Sequence, residues 1–253
     1  MSDIHKLWMS DIRRRCIILV MRKEPYTVGS YVHVIKRGSR GLDIVRDQND
    51  RRRFLLMLYH LNDRFFSDNW FRDLVDEDLQ DTLKRPSKWP KQEKLVSVLC
   101  FCLLNNHFHL LLKEIRDNGI SLFMKRLGVA MAKHFNEKYK ERGSLFQGAF
   151  RARTVKNDND LRYVSAYIQV KNAFEVCCPR SAHLPDHFER NYKIAIHYPY
   201  CSLGDYTGID ESPVIDKELL GGIYNPKAYK SFCKDVIIGR YRGTDDYSAL
   251  QLE

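Results

Sequence analysis

Two histidines one residue apart, His107 and His109, are the side chains whose types and spacing first suggest chemistry in this sequence. They open a short apolar run that predicts a β-strand, and residues i and i+2 of a strand project from the same face. Imidazole binds transition metals well, and it binds manganese or magnesium when oxygen ligands complete the site. The pair therefore either ligates one divalent ion or consists of two half-buried strand histidines with a structural role.

The strand that carries these histidines is predicted to be the second arm of a β-hairpin. Residues 95–104 form a first apolar run, and Asn105 and Asn106 separate it from the second. Two such runs joined by two residues that tolerate a left-handed backbone are typical of a hairpin. Residues 31–35, which are β-branched or aromatic apart from one histidine, predict another strand, and a basic loop with two glycines follows at 37–41.

Periodic apolar residues predict three helices around these strands. The first covers about residues 50–66. The second runs from about Ser121, which can cap it, to about residue 141, and Gly143 is placed to end it. The third starts near residue 157 or 159.

The two ends of the chain differ from the middle. Residues 1–24 read as a leader segment, helical or loosely ordered. Prolines at 179, 185, 199, 213 and 226 predict a loop-rich C-terminal extension over residues 179–253, with one closing helix around 226–238.

The charge balance favours a polyanionic partner. There are 42 Lys and Arg residues against 32 Asp and Glu, which gives a formal net charge of +10 and a pI near 9.2. Basic residues attract nucleic acid because each neutralised phosphate releases condensed counterions. A merely basic soluble protein would have the same composition, so charge alone leaves both readings open.

Cysteine usage indicates a reducing compartment. The seven cysteines are odd in number, form no CxxC pair, and include Cys100 and Cys102 alternating along an apolar run. These features predict buried thiols, not a disulfide framework or a structural zinc site. No stretch reaches the roughly 18 apolar residues of a membrane span, so we expect a cytoplasmic protein without membrane contact.

The residues around the histidine pair resemble the histidine strand of the single-tyrosine HUH transposases, including their REP-associated group. Residues 102–112 read CLLNNHFHLLL. That family usually has a cysteine or aromatic residue, apolar residues, a Pro-Asn turn, His-x-His and a leucine stretch. Asn105 stands in place of the proline, which leaves the turn chemistry intact.

Three further blocks resemble the same family in the same order. Residues 31–38 (YVHVIKRG) look like its opening strand and Arg-Gly loop. Residues 143–151 (GSLFQGAFR) look like its Gly-x-Leu-aromatic-Gln-Gly-x-Phe-basic block, and residues 163–172 (YVSAYIQVKN) look like its nucleophile helix. The resemblance covers about residues 25–178, which we take as one transposase-like domain.

The resemblance implies a fold and a reaction. The fold is α+β: a mainly antiparallel sheet with helices packed over it, as in the HUH or ferredoxin-like transposases, followed by the loop-rich C-terminal extension. The reaction is cleavage and transfer of single-stranded DNA, at a hairpin, through a 5′-phosphotyrosine intermediate. A divalent metal, Mg²⁺ or Mn²⁺, is the implied cofactor at His107 and His109, and DNA is the implied partner.

The same resemblance assigns roles in the nucleophile helix. Tyr167 is followed by isoleucine as in the family motif, so we predict it to be the nucleophile in preference to Tyr163, one turn earlier. A third metal ligand is expected four residues after the nucleophile, but that position is Lys171, a cation that cannot ligate while protonated. Asn172 is the next candidate, and a water or the DNA phosphate are alternatives.

Several basic or polar residues are predicted to meet the DNA. They come from the loop after the first strand, from the segment before the nucleophile helix and from that helix: Arg37, Arg40, Gln147, Arg151, Arg153, Lys156 and Lys171. Phe146 and Phe150 are expected in the core. His33, His60 and His134 have no ligand-like spacing with one another, so we expect structural roles for them; for His33, a role near the site from a neighbouring strand also stays open.

Two other functions remain open. A non-catalytic DNA-binding protein on the same fold is favoured by Lys171 standing where a ligand is expected. A metal phosphoesterase that activates water ranks low, because the sequence has no second His-x-His or His-x-Thr/Ser motif. The resemblance also leaves a homodimer and a single active subunit both open.

Overall fold

The computed structural model describes residues 26–182, 185–223 and 225–237. The predicted leader at 1–24 and Cys16 lie outside these described residues. The same holds for the end of the C-terminal extension after residue 237.

A four-stranded antiparallel sheet forms the centre of the protein. Its strands are β1 (Tyr31–Arg37), β2 (Val96–Leu103), β3 (His107–Glu114) and β4 (Arg151–Val155), in the order β2-β3-β1-β4. The predicted hairpin is confirmed as β2 and β3, which pair antiparallel across residues 104–106. The predicted strand at 31–35 is confirmed as β1, which lies between β3 and β4.

The loop after β1 is fastened to the tip of this hairpin. The Gly38 N–H donates to the Asn106 carbonyl at 2.7 Å, and the Ile44 N–H donates to the Asn105 carbonyl at 2.8 Å. Gly38 is required by close approach, because a Cβ there would lie 2.1 Å from the Leu42 carbonyl oxygen. The glycine of the Arg-Gly loop thus brings the loop against the turn that precedes His107.

Two long helices cover one face of the sheet. They are α1 (Gln48–His60) and α3 (Gly119–Tyr139), and the short α2 (Trp70–Asp76) lies between them in sequence. Phe54 of α1 packs on Phe101 and Phe108 with ring centroids 6.3 and 5.2 Å apart. This face of the sheet and these helices form one core cluster.

The first predicted helix end is wrong, and the second helix ends close to the predicted residue but on a different cap. The first helix ends at His60, not near residue 66, and Phe65 beyond it is partly exposed. The second ends before Lys140, which takes the left-handed conformation (φ 54°) and caps the helix, so Gly143 does not end it. A left-handed lysine is uncommon, and the apolar repeat gave no sign of it.

The opposite face of the sheet is covered by the third predicted helix and by the C-terminal extension. α4 (Asp158–Ala166) is capped by Asn157, whose side chain accepts from the Asp160 N–H, as predicted. A π-helical turn (Tyr167–Lys171) and α5 (Asn172–Cys177) continue it. Apolar residues of these segments pack with Cys100, Cys102 and Leu111 of the sheet in a second core cluster.

The extension contains more helix than its prolines predicted. Its described part holds α6 (Phe188–Ala195), α7 (Leu203–Thr207), α8 (Glu218–Ile223) and α9 (Pro226–Ile237). The last confirms the predicted closing helix. The extension also pairs with β2, since the Leu103 N–H donates to the Tyr200 carbonyl and the Asp216 N–H to the Val98 carbonyl, both at 2.9 Å.

The described cysteines carry free thiols, and Cys100 and Cys102 are buried, as predicted. Given their lengths and polarity, the helices in the described ranges include no candidate membrane span.

Candidate active site

The histidine pair lies on the sheet face that the third helix covers. In the register of β1 and β3, Arg37 pairs with His107 and Ile35 pairs with His109. Paired residues share a face of the sheet, and residues two apart on a strand share it too. His33 therefore lies on the same face as both histidines, diagonal to His109.

His109 is held by a hydrogen bond from the neighbouring strand. His33 Nε2 and His109 Nδ1 lie 2.9 Å apart, and both side chains are fully buried. For His109 to ligate a metal through Nε2, its Nδ1 must carry the proton and donate to His33. A metal-binding histidine is normally oriented in this way by its second ring nitrogen. His109 Nε2 itself is buried and makes no hydrogen bond within the described part of the chain.

The ring of His107 is also held by a hydrogen bond, to the preceding residue, Asn106. Its Nδ1 lies 2.6 Å from Asn106 Oδ1, and because an amide oxygen only accepts, Nδ1 is the donor. The ring centroids of His107 and His109 are 4.9 Å apart. Both imidazoles are thus oriented through Nδ1.

The environment keeps His109 uncharged. Burial lowers its pKa well below the usual range, and the positive charges of Arg37 and Lys171 act in the same direction. A metal ligand must be the neutral imidazole. The site therefore holds His109 in the protonation state that ligation requires.

The Tyr167 ring packs directly against these histidines. Its centroid lies 5.6 Å from that of His109 and 5.9 Å from that of His33, in edge-on geometry. Tyr167 is only 2% exposed. The helix and the histidine strand, separated by more than fifty residues in sequence, thus bring a phenol and the imidazoles together on one side of the sheet.

A π-helical turn changes which residue follows Tyr167 on its face of the helix. The Asn172 N–H bonds to the Tyr167 carbonyl, five residues back, instead of four. Such a turn inserts one residue into the helix, so position i+5 stacks where i+4 would lie in an α-helix. Asn172, and not Lys171, therefore occupies the position one turn after Tyr167.

Asn172 is a buried polar residue with one amide nitrogen that has no hydrogen-bond partner among the described residues. Its side chain is 1% exposed, and its Nδ2 makes no hydrogen bond within the described residues. A buried amide left without a partner costs free energy. Single π-helical turns within α-helices are frequent at functional sites.

Lys171, four residues after Tyr167, does not lie where the third metal ligand was expected. Its Nζ lies 4.7 Å from the centroid of the Tyr167 ring and 3.4 Å from Glu175 Oε1. The lysine thus packs over the phenol and pairs with a carboxylate one turn later. It does not stand in the ligand position.

The basic residues predicted to meet DNA divide into two groups. Arg37, Arg151 and Arg153 lie on the histidine face, since Arg151 pairs with Ile35 and Arg153 with His33. Gln147 is exposed beside them, and its N–H donates to the Arg37 carbonyl at 3.0 Å. Arg40 and Lys156 are exposed in the adjoining loops.

Two open pockets on this face meet at Arg37. One is lined by residues of the hairpin tip and α5, including His107, Asn106 and Glu175. The other is lined by Ile35, Gln147 and Arg151 among others. The charged residues that line them are two arginines, Arg37 and Arg151, and two carboxylates, Asp43 and Glu175, while His107 is 8% exposed.

The donor set fits a divalent ion that takes both nitrogen and oxygen ligands. Among the described residues, no group of three or more His, Cys, Asp or Glu side chains is arranged to hold a metal. His107 and His109 would supply two nitrogens, and the Asn172 amide is a candidate oxygen donor. The orphaned Nε2 of buried His109 is the observation that fits this use.

Sequence reasoning missed Asn106 as a support of the site, and it left a role of His33 near the site open without evidence for it. The odd residues of β1 share a face with the odd residues of β3, which needs the pairing register and not the spacing of the histidines. Asn106 was read only as a turn residue, although it is adjacent to His107.

Comparison with known proteins agrees with the resemblance. Residues 66–171 match the family described as "Transposase IS200 like", a region that contains His107, His109 and Tyr167. This match supports a transposase-type function on DNA. No curated protein matches the chain. A solved structure entitled "Structure of the REP associates tyrosine transposase bound to a REP hairpin" is similar at 12% identity, with a TM-score of 0.40, over 77% of this chain and 95% of that one.

Proposed function

From the match of residues 66–171 to the IS200-like transposase family, we propose that this protein cleaves single-stranded DNA at a hairpin and transfers the cut strand. Tyr167 is the nucleophile. His107 and His109 hold a divalent ion, Mg²⁺ or Mn²⁺, with Asn172 as the third protein ligand.

The observation that carries the proposal is the packing of the Tyr167 ring 5.6 Å from His109 on one face of the sheet. A nucleophile and the ligands of an activating ion must lie within reach of one phosphate. The oriented imidazoles and the orphaned His109 Nε2 support the assignment further.

The reaction exchanges one phosphodiester for another. The Tyr167 oxygen attacks the phosphorus and forms a P–O bond, and the bond from phosphorus to the 3′ oxygen breaks. The phenolic proton is lost to solvent, and the departing oxygen gains one, which leaves a 5′-phosphotyrosine and a free 3′-hydroxyl. Attack by another 3′-hydroxyl reverses the step, so strands are rejoined without nucleotide energy.

The bound ion supplies Lewis-acid polarisation of the scissile phosphate and eases loss of the phenolic proton, whose ordinary pKa is about 10. The chain's own residues orient the parts. His33 and Asn106 fix the two imidazole rings, and the π turn places Asn172 one turn after the nucleophile.

The DNA backbone passes along the arginines on the histidine face of the sheet. Arg37, Arg151 and Arg153 share the histidine face, and Gln147, Arg40, Lys156 and Lys171 adjoin it. Contacts of this kind position a strand without reading its sequence.

The test is formation of a covalent protein–DNA adduct. A labelled hairpin oligonucleotide with a single-stranded flank is incubated with the protein and Mn²⁺, and the mixture is run on a denaturing gel. We expect an adduct from the unmodified protein and from Tyr163→Phe, and none from Tyr167→Phe or in the presence of EDTA. Full adduct yield from Tyr167→Phe would exclude the assignment of the nucleophile.

One observation favours a non-catalytic DNA-binding protein as the alternative. Tyr167 is 2% exposed, so a phosphate reaches its hydroxyl only after neighbouring groups move. The alternative predicts DNA affinity that depends on salt, is unaffected by EDTA and is accompanied by no adduct.

A further inference from the structure

Gln169, in the middle of the π turn, is a fully buried amide that faces away from the site. It lies two residues after Tyr167, which places it on the other side of the helix, and it is 0% exposed. Its Nε2 donates to Tyr229 Oη at 2.7 Å, and its Oε1 accepts from Ser202 Oγ at 3.2 Å. Both partners belong to the C-terminal extension. We call these three residues the Gln169 clamp.

The partners of the clamp are themselves fixed to the rest of the protein. Ser202 Oγ accepts from the Phe101 N–H of β2 at 2.9 Å, and Tyr229 Oη donates to Ser165 Oγ of α4 at 3.4 Å. The clamp thus ties the back of the π turn to the sheet on one side and to the preceding helix on the other.

The main-chain carbonyl of Gln169 also forms a hydrogen bond to the C-terminal extension. Cys201 Sγ donates to the Gln169 carbonyl at 3.3 Å. π-helical turns are rare, so a turn of this kind needs stabilising contacts around it, and here those contacts come from residues 201–229.

We propose that the Gln169 clamp is a positioning device that holds the π turn in the register where Asn172 follows Tyr167 on one helix face. The C-terminal extension would then support the active site from behind without touching DNA or metal. The role for catalysis rests on the proposed function. The role in holding the turn does not, and it is tested separately.

Amide hydrogen exchange tests the structural step. Tyr229→Phe removes the acceptor of the Gln169 amide and leaves the ring. Tyr206→Phe is the matched control: Tyr206 lines the same small cavity as Tyr229 and Gln169, but its hydroxyl donates to the Leu99 carbonyl at 2.6 Å. We expect exchange of the amides in 167–172 to quicken about tenfold in Tyr229→Phe and to stay unchanged in Tyr206→Phe.

Two results would overturn the clamp. One is unchanged exchange across 167–172 in Tyr229→Phe. The other is an equal increase in α4, the sheet and the π turn, which would indicate general destabilisation. Ser202→Ala, which removes the other arm, provides a second variant if Tyr229→Phe does not fold. We expect the same increase in 167–172 from it, together with faster exchange of the Phe101 amide, whose acceptor it also removes.

Metal dependence tests the catalytic step. In Gln169→Leu and Tyr229→Phe, we expect a several-fold rise in the Mn²⁺ concentration for half-maximal adduct formation. Both changes remove the Gln169–Tyr229 bond, so the effect of the double variant should be smaller than the sum of the two single effects. A change in adduct rate with the Mn²⁺ requirement unaltered would contradict the proposed role. If the unmodified protein forms no adduct, the proposed function fails, while hydrogen exchange still decides the clamp.

Discussion

Among single residues, His33 is the one that orients His109. Its spacing favours a structural role and leaves a role near the site open, and its Nε2 lies 2.9 Å from His109 Nδ1 in a fully buried pair. Without that acceptor, His109 loses the group that sets its tautomer and the direction of its free nitrogen.

We therefore expect His33→Ala to weaken Mn²⁺ binding by about 10- to 100-fold. The measurement is Mn²⁺ titration followed by electron paramagnetic resonance, which reports free Mn²⁺ and needs no activity. His134→Gln is the control, because His134 bonds to Asp50 on the α1 and α3 side of the sheet. Equal losses in the two variants would argue against a specific role for His33.

His60 is a second buried histidine, and its role is in stability. It lies at the end of α1 between the rings of Trp70 and Trp89, with centroids 6.3 and 5.8 Å away. Burial lowers its pKa to about 4. Because the folded-state pKa lies below the unfolded value near 6.5, protonation favours unfolding. The stabilisation is present above pH 6.5 and is lost as the pH falls towards 4.

Replacing His60 by phenylalanine should remove this part of the acid sensitivity. Between pH 6.5 and 4, the unmodified protein is expected to lose on the order of 3 kcal/mol more of its unfolding free energy than His60→Phe. Urea unfolding at several pH values measures the difference. Parallel pH curves for the two proteins would contradict a neutral buried His60.

Among the elements, strands β1 to β3 and the start of α4 follow from the sequence. The strand β4, the start of α3 at Gly119 instead of a cap at Ser121, and the helix irregularities do not. The β2–β3 hairpin follows from two apolar runs and the Asn-Asn pair, and the start of α4 follows from the capping Asn157. These signals are local, so one sequence contains them. The left-handed, exposed Lys140 and the end of α1 at His60 have no such local signal in the sequence.

The π turn is the feature that the sequence pattern predicts least. Residues 167–170 are all buried, so an extra residue in the turn leaves no gap in the apolar repeat. Counting four residues from Tyr167 therefore gave Lys171, whereas the structure stacks Asn172 there. The contacts that hold this turn come from Ser202 and Tyr229, far along the chain, and no local rule could have found them.

At the scale of the whole molecule, the two faces of the sheet have separate tasks. α1 and α3 build the larger apolar core on one face. The other face carries the histidines, Tyr167 and the arginines of β1 and β4, and the extension covers the β2 side of it. The net charge of +10 is therefore less informative than the position of a few cations on one face.

The salt dependence of DNA binding can show whether the arginines of the histidine face contact DNA and the other basic residues do not. Binding of single-stranded DNA falls with salt by a slope of about 0.7 for each phosphate contact. We expect Arg151→Gln combined with Arg153→Gln to reduce the slope by about one unit or more. Arg52 is an exposed arginine of α1 that pairs with Asp81, away from the histidine face, and Arg52→Gln should leave the slope unchanged.

Fluorescence anisotropy with a labelled hairpin, between about 50 and 200 mM salt, measures these slopes. The Tyr167→Phe background prevents covalent capture from distorting the equilibrium. Because both variants lose positive charge, a long-range effect of net charge would lower affinity in each roughly in proportion to the charge removed. An unchanged slope in the β4 variant, or an equal slope change per charge in Arg52→Gln, would place the DNA elsewhere than along the histidine face.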